Sequence, residues 1–213
     1  MRAWRWTAVA AALALASALA EAQQVNRPLS PPGTAATQVL GKWVQDKADE
    51  PRRYTDGKWI QVTYGRPIKR GRDLFGSGPE YGKALNSGAP VWRAGANKST
   101  RLQTEVPLQI GGKTVPAGDY SLFVELKSPI DWTFIVSSHA AQETFDLNEK
   151  VALWGSDNYT PDKDVTRAPM QVMKTNVSVD QFTIGFVDMT QTGGRLAIWW
   201  DTTMATVPFT VAP

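Results

Sequence analysis

The residues best equipped for chemistry in this chain are arginines on a glycine-rich stretch. Arg66, Lys69, Arg70, Arg72 and Arg93 lie between positions 66 and 93, and Asn97 follows closely. A guanidinium is a planar fork that binds a carboxylate or phosphate at two points. Glycines nearby let backbone approach a ligand closely. An anion-binding surface built from Arg66, Arg72, Arg93 and Asn97 fits this pattern. So does an internal role, in which the same side chains pair with Asp73, Glu80 or carbonyl groups and fix the loops. Trp92 stands beside Arg93 and, if exposed, could stack on a sugar ring or an apolar ligand. The opposing reading is that Trp92 is core, as aromatic residues in strand-rich domains usually are.

Catalytic signatures are few. There is no Gly-x-Ser-x-Gly elbow and no phosphate-binding P-loop. The segment Gly76–Gly82 has the wrong spacing for a dinucleotide loop and contains Pro79. His139 is the only histidine, which excludes multi-histidine zinc sites. It reads as a loop residue facing solvent, with no carboxylate at a convincing spacing to make it a general base. No catalytic residue is assigned. An acid/base pair, were there one near Arg93, would have to come from His139, Asp73, Glu80, Glu125 or Asp164. The oxygen-rich run Asp157–Asp164 lacks the glycine of a calcium loop and holds Lys163, so it reads as an acidic turn. No metal or cofactor is expected. The sequons at Asn97, Asn158 and Asn176 are given no weight as glycosylation sites.

These residues need a scaffold, and its compartment is read first. Arg2 and Arg5 precede an uncharged Ala/Leu-rich run from Thr7 to Leu19, and Ala20-Glu21-Ala22 offers a small-x-small cleavage pattern. Residues 1–22 therefore read as a signal peptide, which places the mature chain in the periplasm or outside the cell. The chain has no Cys, so a lipid anchor, disulfides and thiol chemistry are all excluded. No later run is apolar and long enough to span a bilayer. Removing Arg2, Arg5 and Glu21 from 23 basic and 20 acidic side chains leaves 21 and 19, a net charge of +2. That is too weak a bias to imply nucleic acid.

The remainder reads as strands and turns. Residues 23–36 contain Pro28, Pro31 and Pro32 and read as a Pro-rich linker, with one domain over 37–213. Thr37–Gln45 and Lys58–Tyr64 predict a hairpin with a long polar loop. A helix over 34–47 is the competing reading, since Val39, Trp43 and Val44 could share a face. Residues 66–99 form a long irregular region, with a helical turn near Pro79–Leu85. Further strands follow at 101–110, 113–115, 120–126 and 132–137. Four more are predicted at 170–179, 181–188, 195–201 and 205–211, with Thr192-Gly193-Gly194 as a turn. Short strands at this spacing predict an all-β, mainly antiparallel fold, a single-domain β-sandwich or jelly-roll-like architecture.

Several segments resemble one family. Tyr64-Gly65-Arg66-Pro67 with Leu74-Phe75-Gly76 resembles its first signature, and Trp92-Arg93-Ala94-Gly95-Ala96-Asn97 its second. Val115-Pro116-Ala117-Gly118-Asp119-Tyr120-Ser121-Leu122-Phe123 resembles its third. Trp154-Gly155 with Asp164 and Arg167 resembles a fourth, and Val207-Pro208-Phe209 its usual ending. The family is DUF2911, a group of exported bacterial proteins of unknown function. The resemblance spans roughly residues 30–211 and implies a bacterial source and a β-sandwich-like fold. It implies no activity and no catalytic residues.

The functional expectation is a binding protein of the cell envelope that takes a small or polymeric ligand, anionic or sugar, on the 66–100 loops. An envelope hydrolase or lyase and a structural or interaction module are the alternatives. The oligomeric state is left open.

Overall fold

The computed structural model describes residues 28–213. The proposed signal peptide, residues 1–22, lies outside the described residues. The chain folds as an all-β sandwich. In order, the strands are β1 (Pro32–Val39), β2 (Lys42–Val44), β3 (Arg53–Thr55), β4 (Lys58–Gly65), β5 (Thr100–Thr104) and β6 (Leu108–Ile110). They continue with β7 (Lys113–Val115), β8 (Gly118–Ser128), β9 (Asp131–Ser137), β10 (Asp164–Pro169), β11 (Gln171–Thr190) and β12 (Gly193–Val211). Among the described residues there is one short α-helix, α1 (Lys83–Asn86), with 3-10 turns at Gly78–Glu80 and Pro161–Lys163. Among the described residues, no helix is long and apolar enough to cross a membrane.

One layer is a six-stranded sheet in the order β1-β4-β5-β8-β9-β10, and the other is a four-stranded sheet in the order β11-β12-β6-β7. Alternation decides which side chains meet between them. Ile60 and Val62 of β4, Leu102 of β5 and Leu122 and Val124 of β8 point inward. Phe182 and Ile184 of β11 and Leu196, Ile198 and Trp200 of β12 meet them from the other sheet. Burial of this set is the principal stabilising term.

Three readings of the sequence need correction. Residues 32–36, taken as linker, are the first five residues of β1. Pro32 is tolerated because it opens an edge strand, where a missing N–H leaves no ladder bond unmade. The 34–47 segment is not helical, and the strand predicted at 37–45 breaks at Leu40 and Gly41, where Leu40 takes φ +61°. β2 then pairs with β3 at the tip of the β1–β4 hairpin, Trp43 opposite Tyr54. The four final strands are in fact two long ones. No turn lies between 170 and 190 or between 193 and 211. The register instead shifts between Lys174 and Val179 and again between Val179 and Thr183.

Asp201 absorbs part of that irregularity at φ +54° and accepts a bond from Lys69 Nζ at 2.6 Å and from Ser178 Oγ at 2.7 Å. The Lys69 bond ties the irregular loop to the second sheet and holds the Asp201 carboxyl below its ordinary range. A depressed carboxylate stabilises the fold above its unfolded value, and that contribution is lost as pH falls through the folded value. Asp201→Asn is expected to cost about 1 kcal/mol at neutral pH. The gap between variant and parent should close in urea titrations repeated at decreasing pH below about 4.

Candidate functional site

The outer face of the six-stranded sheet is half covered. Over β8 and β9 the 139–160 segment lies on the sheet and encloses a second, small core of Val91, Phe123, Ile135, Leu153 and Tyr159. Over β1, β4 and β5 the same face is open. A cleft of about 590 Å3 forms where cover and open sheet meet. Its floor carries Thr34, Thr63 and Arg101, which are register neighbours on β1, β4 and β5. Its walls are the 96–99 turn, with Asn97 and Lys98, and the cover, with Gln142, Glu143 and Trp154.

Local bonds hold both walls. Ser99 Oγ donates to the Gly155 carbonyl at 2.6 Å, and Thr100 Oγ1 to the Ala94 carbonyl at 2.9 Å. The base of the 141–153 loop is closed by a bridge between Ala141 and Leu153. Gln142 spans that loop: its amide donates to the Ala152 carbonyl at 3.0 Å and accepts from the Asp146 N–H at 2.8 Å. Phe145 packs on Trp154, with ring centroids 5.5 Å apart.

Arg101 is the chemically distinctive residue. Its Nη1 donates to Ser121 Oγ at 2.8 Å and to the His139 carbonyl at 3.0 Å, both neutral acceptors. Among the described residues it forms no salt bridge, and its Nε and Nη2 carry no hydrogen bond. Burial pulls the guanidinium below its ordinary value, while the charges of Asp119 and Glu143 act the other way. Among the described residues Glu143 is the only carboxylate lining the cleft, and Lys98 Nζ already neutralises it at 2.9 Å. Among the described residues one net positive charge is therefore left on the cleft floor, partly buried and with no carboxylate in direct contact with it.

The five residues singled out in the sequence fare differently. Asn97 lines the cleft, at φ +63°, with its amide 3.5 Å from the Ser30 carbonyl. Arg93 lies behind the wall. Its Nη1 donates to the Asn97 carbonyl at 2.6 Å and its guanidinium packs flush on Gly155, where a Cβ would collide with it. Burial depresses its pKa, opposed by Asp157. Arg66 lays its stem over Gly33, and its buried Nε has no partner among the described residues. Arg72 is a loop-fixing residue outside the cleft, donating to the carbonyls of Ile68 at 2.7 Å and Lys69 at 3.0 Å. The expectation of Trp92 as a ligand platform is corrected. The ring is 1% exposed and stacks on Trp200 at 6.0 Å, because the alternation that faces Arg93 outward drives Trp92 into the sandwich.

His139 also departs from expectation. It is 8% exposed, not solvent-facing, and its Nε2 accepts from the Thr160 N–H at 3.2 Å. The acid/base candidates do not converge at the cleft. Asp73 accepts from the Gly76 N–H, and Glu80 pairs with Lys83. Asp164 and Glu125 both bind Arg167, at 2.7 and 2.8 Å. The Tyr159 hydroxyl donates to Asp164 at 2.6 Å, and burial together with that carboxylate pushes its pKa up. Among the described residues no group of three or more His, Asp or Glu is placed to hold a metal ion.

Arg101 and Lys98 were missed by sequence reasoning. The available signal was alternation: Thr100, Leu102 and Thr104 are buried, which turns Arg101 and Gln103 to the opposite face.

Parts of three signature segments line this cleft: Tyr64 and Gly65, Ala96 and Asn97, and Trp154. Gly65 closes β4 against the 94–97 turn, where a Cβ would overlap the Ala96 carbonyl oxygen. Gly95 returns the contact, with an added Cβ only 3.0 Å from the Gly65 carbonyl oxygen. The Tyr64 hydroxyl accepts from the Ile184 N–H at 2.9 Å, which joins the two sheets. Tyr120 donates to the Pro116 carbonyl at 2.9 Å and fixes the turn before β8. No curated protein and no solved structure matches the chain. Residues 47–209, well over half its length, match the model of a family described as a protein of unknown function. The chain belongs to that family, DUF2911.

Proposed function

We propose that this protein binds a small ligand bearing a carboxylate or phosphate, held by Arg101 in the cleft between the open sheet face and the 139–160 cover. One observation carries the reading. Arg101 is partly buried on the cleft floor and, among the described residues, bonds only neutral oxygens and leaves two of its donor nitrogens unoccupied. A desolvated guanidinium without a counterion is costly unless a ligand supplies the charge. Lys98 on the wall is paired with Glu143, which leaves Arg101 as the cation available to the ligand, and the Trp154 side offers an apolar surface for the ligand's body. The work is done in the bacterial cell envelope. This location is supported by the Arg2/Arg5 start, the Ala/Leu-rich run and the Ala20-Glu21-Ala22 pattern.

The test is Arg101→Met, which keeps length and removes charge. A thermal-shift screen of organic acids, sugar acids and phosphate esters on the protein finds ligands, and calorimetry follows the hits. A charge-assisted pair is worth about 1.5–3 kcal/mol, so binding should weaken roughly 10- to 150-fold in the variant. Circular dichroism checks that the variant is folded. A folded Arg101→Met protein that binds every hit as tightly as the parent would sink the reading.

A further inference from the structure

The cleft has a neighbour on the same sheet. A second depression, of about 560 Å3, lies over the outer face of β1, β4, β5 and the start of β8. It is lined by Trp59, Gln61, Gln103, Glu105 and Asp119. The strand register shows how the two are related. Thr63 pairs with Arg101, and Arg101 with Ser121, in one row across the sheet. Gln61 pairs with Gln103, and Gln103 with Asp119, in the next row of the same face. Trp59 opens the third row, and its N–H donates to Glu105 Oε2 at 2.8 Å. Successive rows on one face are about 7 Å apart, so Trp59 stands about 13 Å along β4 from Thr63 and the Arg101 row. No other described segment crosses this part of the face: Gln103, Glu105 and Asp119 are exposed, and Trp59 is 49% exposed.

We infer that the two depressions are one groove, and that its occupant is an extended, hydroxyl-rich glycan whose single acidic residue sits at Arg101 while neutral sugar rings run over Gln61 and Gln103 to the face of Trp59. This inference rests on the anion site at Arg101. The chemistry changes along the groove in the way such a ligand requires. At the Arg101 end there is a guanidinium with no salt-bridge partner among the described residues. One row on, the Gln61 amide donates to Gln103 Oε1 at 3.3 Å. That bond leaves each amide with further donor or acceptor capacity for hydroxyls. Asp119 and Glu105 are acceptors only, so they take hydroxyl protons and repel a second acidic group. An exposed Trp is apolar on its face and polar at its edge, and it offers a rigid platform for the apolar face of a sugar ring. A polyanion fits badly here, and a neutral chain leaves Arg101 without a partner.

Three probes separate the parts: glucuronate, aldotetraouronic acid (one uronate joined to three neutral xyloses) and neutral xylotetraose. Isothermal titration of the parent should give aldotetraouronic acid at least tenfold tighter binding than glucuronate, with xylotetraose weaker than aldotetraouronic acid. Trp59→Ala should bring aldotetraouronic acid down to the level of glucuronate and leave glucuronate unchanged. Arg101→Met should weaken both acids. If aldotetraouronic acid binds no tighter than glucuronate, or if Trp59→Ala leaves that advantage intact, the groove is overturned while the anion site stands. If no acid in the panel binds, the groove is overturned too. In that case the anion site is judged by the wider screen of acids and phosphates against Arg101→Met.

Discussion

Trp92→Ala is expected to lower the melting temperature by roughly 6–20 °C, the largest effect of any single change considered. The ring is the hub of the sandwich. It stacks on Trp200 with planes 12° apart and meets Phe182 edge-on at 5.1 Å. It also meets Trp132 at 6.5 Å. Phe182 comes from β11, Trp200 from β12 and Trp132 from β9, so one side chain is shared by both sheets. Its backbone is fixed independently, exchanging two 2.8 Å bonds with Val124. The cavity left by truncation therefore cannot close by moving the loop, and the full cost of a buried aromatic deletion applies. That cost is about 3–5 kcal/mol, and each kcal/mol is worth about 2–4 °C in a chain of this size. Differential scanning calorimetry measures it. A fall of a degree or two would mean that Trp92 is not held in the stack. The ring does not line the cleft, so ligand affinity of the folded variant should change only through the 94–97 turn that the indole helps to pin.

The second large effect is expected from Gly65→Ala, a change that adds one methyl group. At Gly65 that methyl would overlap a backbone carbonyl, that of Ala96, and a carbonyl held by its own turn cannot swing aside as a side chain can. The 94–97 turn is pinned by Thr100 Oγ1 on the Ala94 carbonyl and by the Trp92 indole, 3.3 Å from the Gly95 carbonyl. Either β4 or the turn must move. The expected cost is at the upper end of about 1–3 kcal/mol, with loss of ligand binding because Gly65, Ala96 and Asn97 all line the cleft. Chemical denaturation and titration with a ligand from the screen read the two consequences separately. An unchanged midpoint would show that the close approach of β4 and the turn relaxes freely. Gly71, where nothing lies within 4 Å of an added Cβ, differs because the only obstacle is its φ of +71°. Gly71→Ala should show conformational strain alone and leave binding intact.

How far the sequence could be read depended on whether a property is local. Period-two patterning exposed the strands of both sheets: Phe182 and Ile184 inward on β11, and Leu196, Ile198 and Trp200 inward on β12. Alternation in β5 turns Arg101 away from the core without saying that this face stays bare, and charge density along the chain drew attention to Arg66, Arg72 and Arg93 instead. Those three serve the loops: Arg72 bonds carbonyls three and four residues away, and Arg93 packs on Gly155. The motif glycines were also visible, and what they allow was not. Gly65 and Ala96 are far apart in sequence, and no local pattern states that their backbones touch. The ends of long strands were misplaced for a related reason. Aspartate at φ +54° lets β12 bend without a turn, and turn residues were the only breaks a linear reading can weigh.

Burial alternation, the lack of cysteine and the near-neutral charge are properties of the chain itself, and they settled an all-β domain without staples. Which face of the six-stranded sheet stays bare depended on where the 139–160 segment came to rest, and that rest position is set by packing of Val91, Phe123, Ile135, Leu153 and Tyr159 from separate parts of the chain. Because hydrophobic burial is non-directional and sums over partners distant in sequence, the cleft at its edge, and the unpaired cation within it, came into being only on folding.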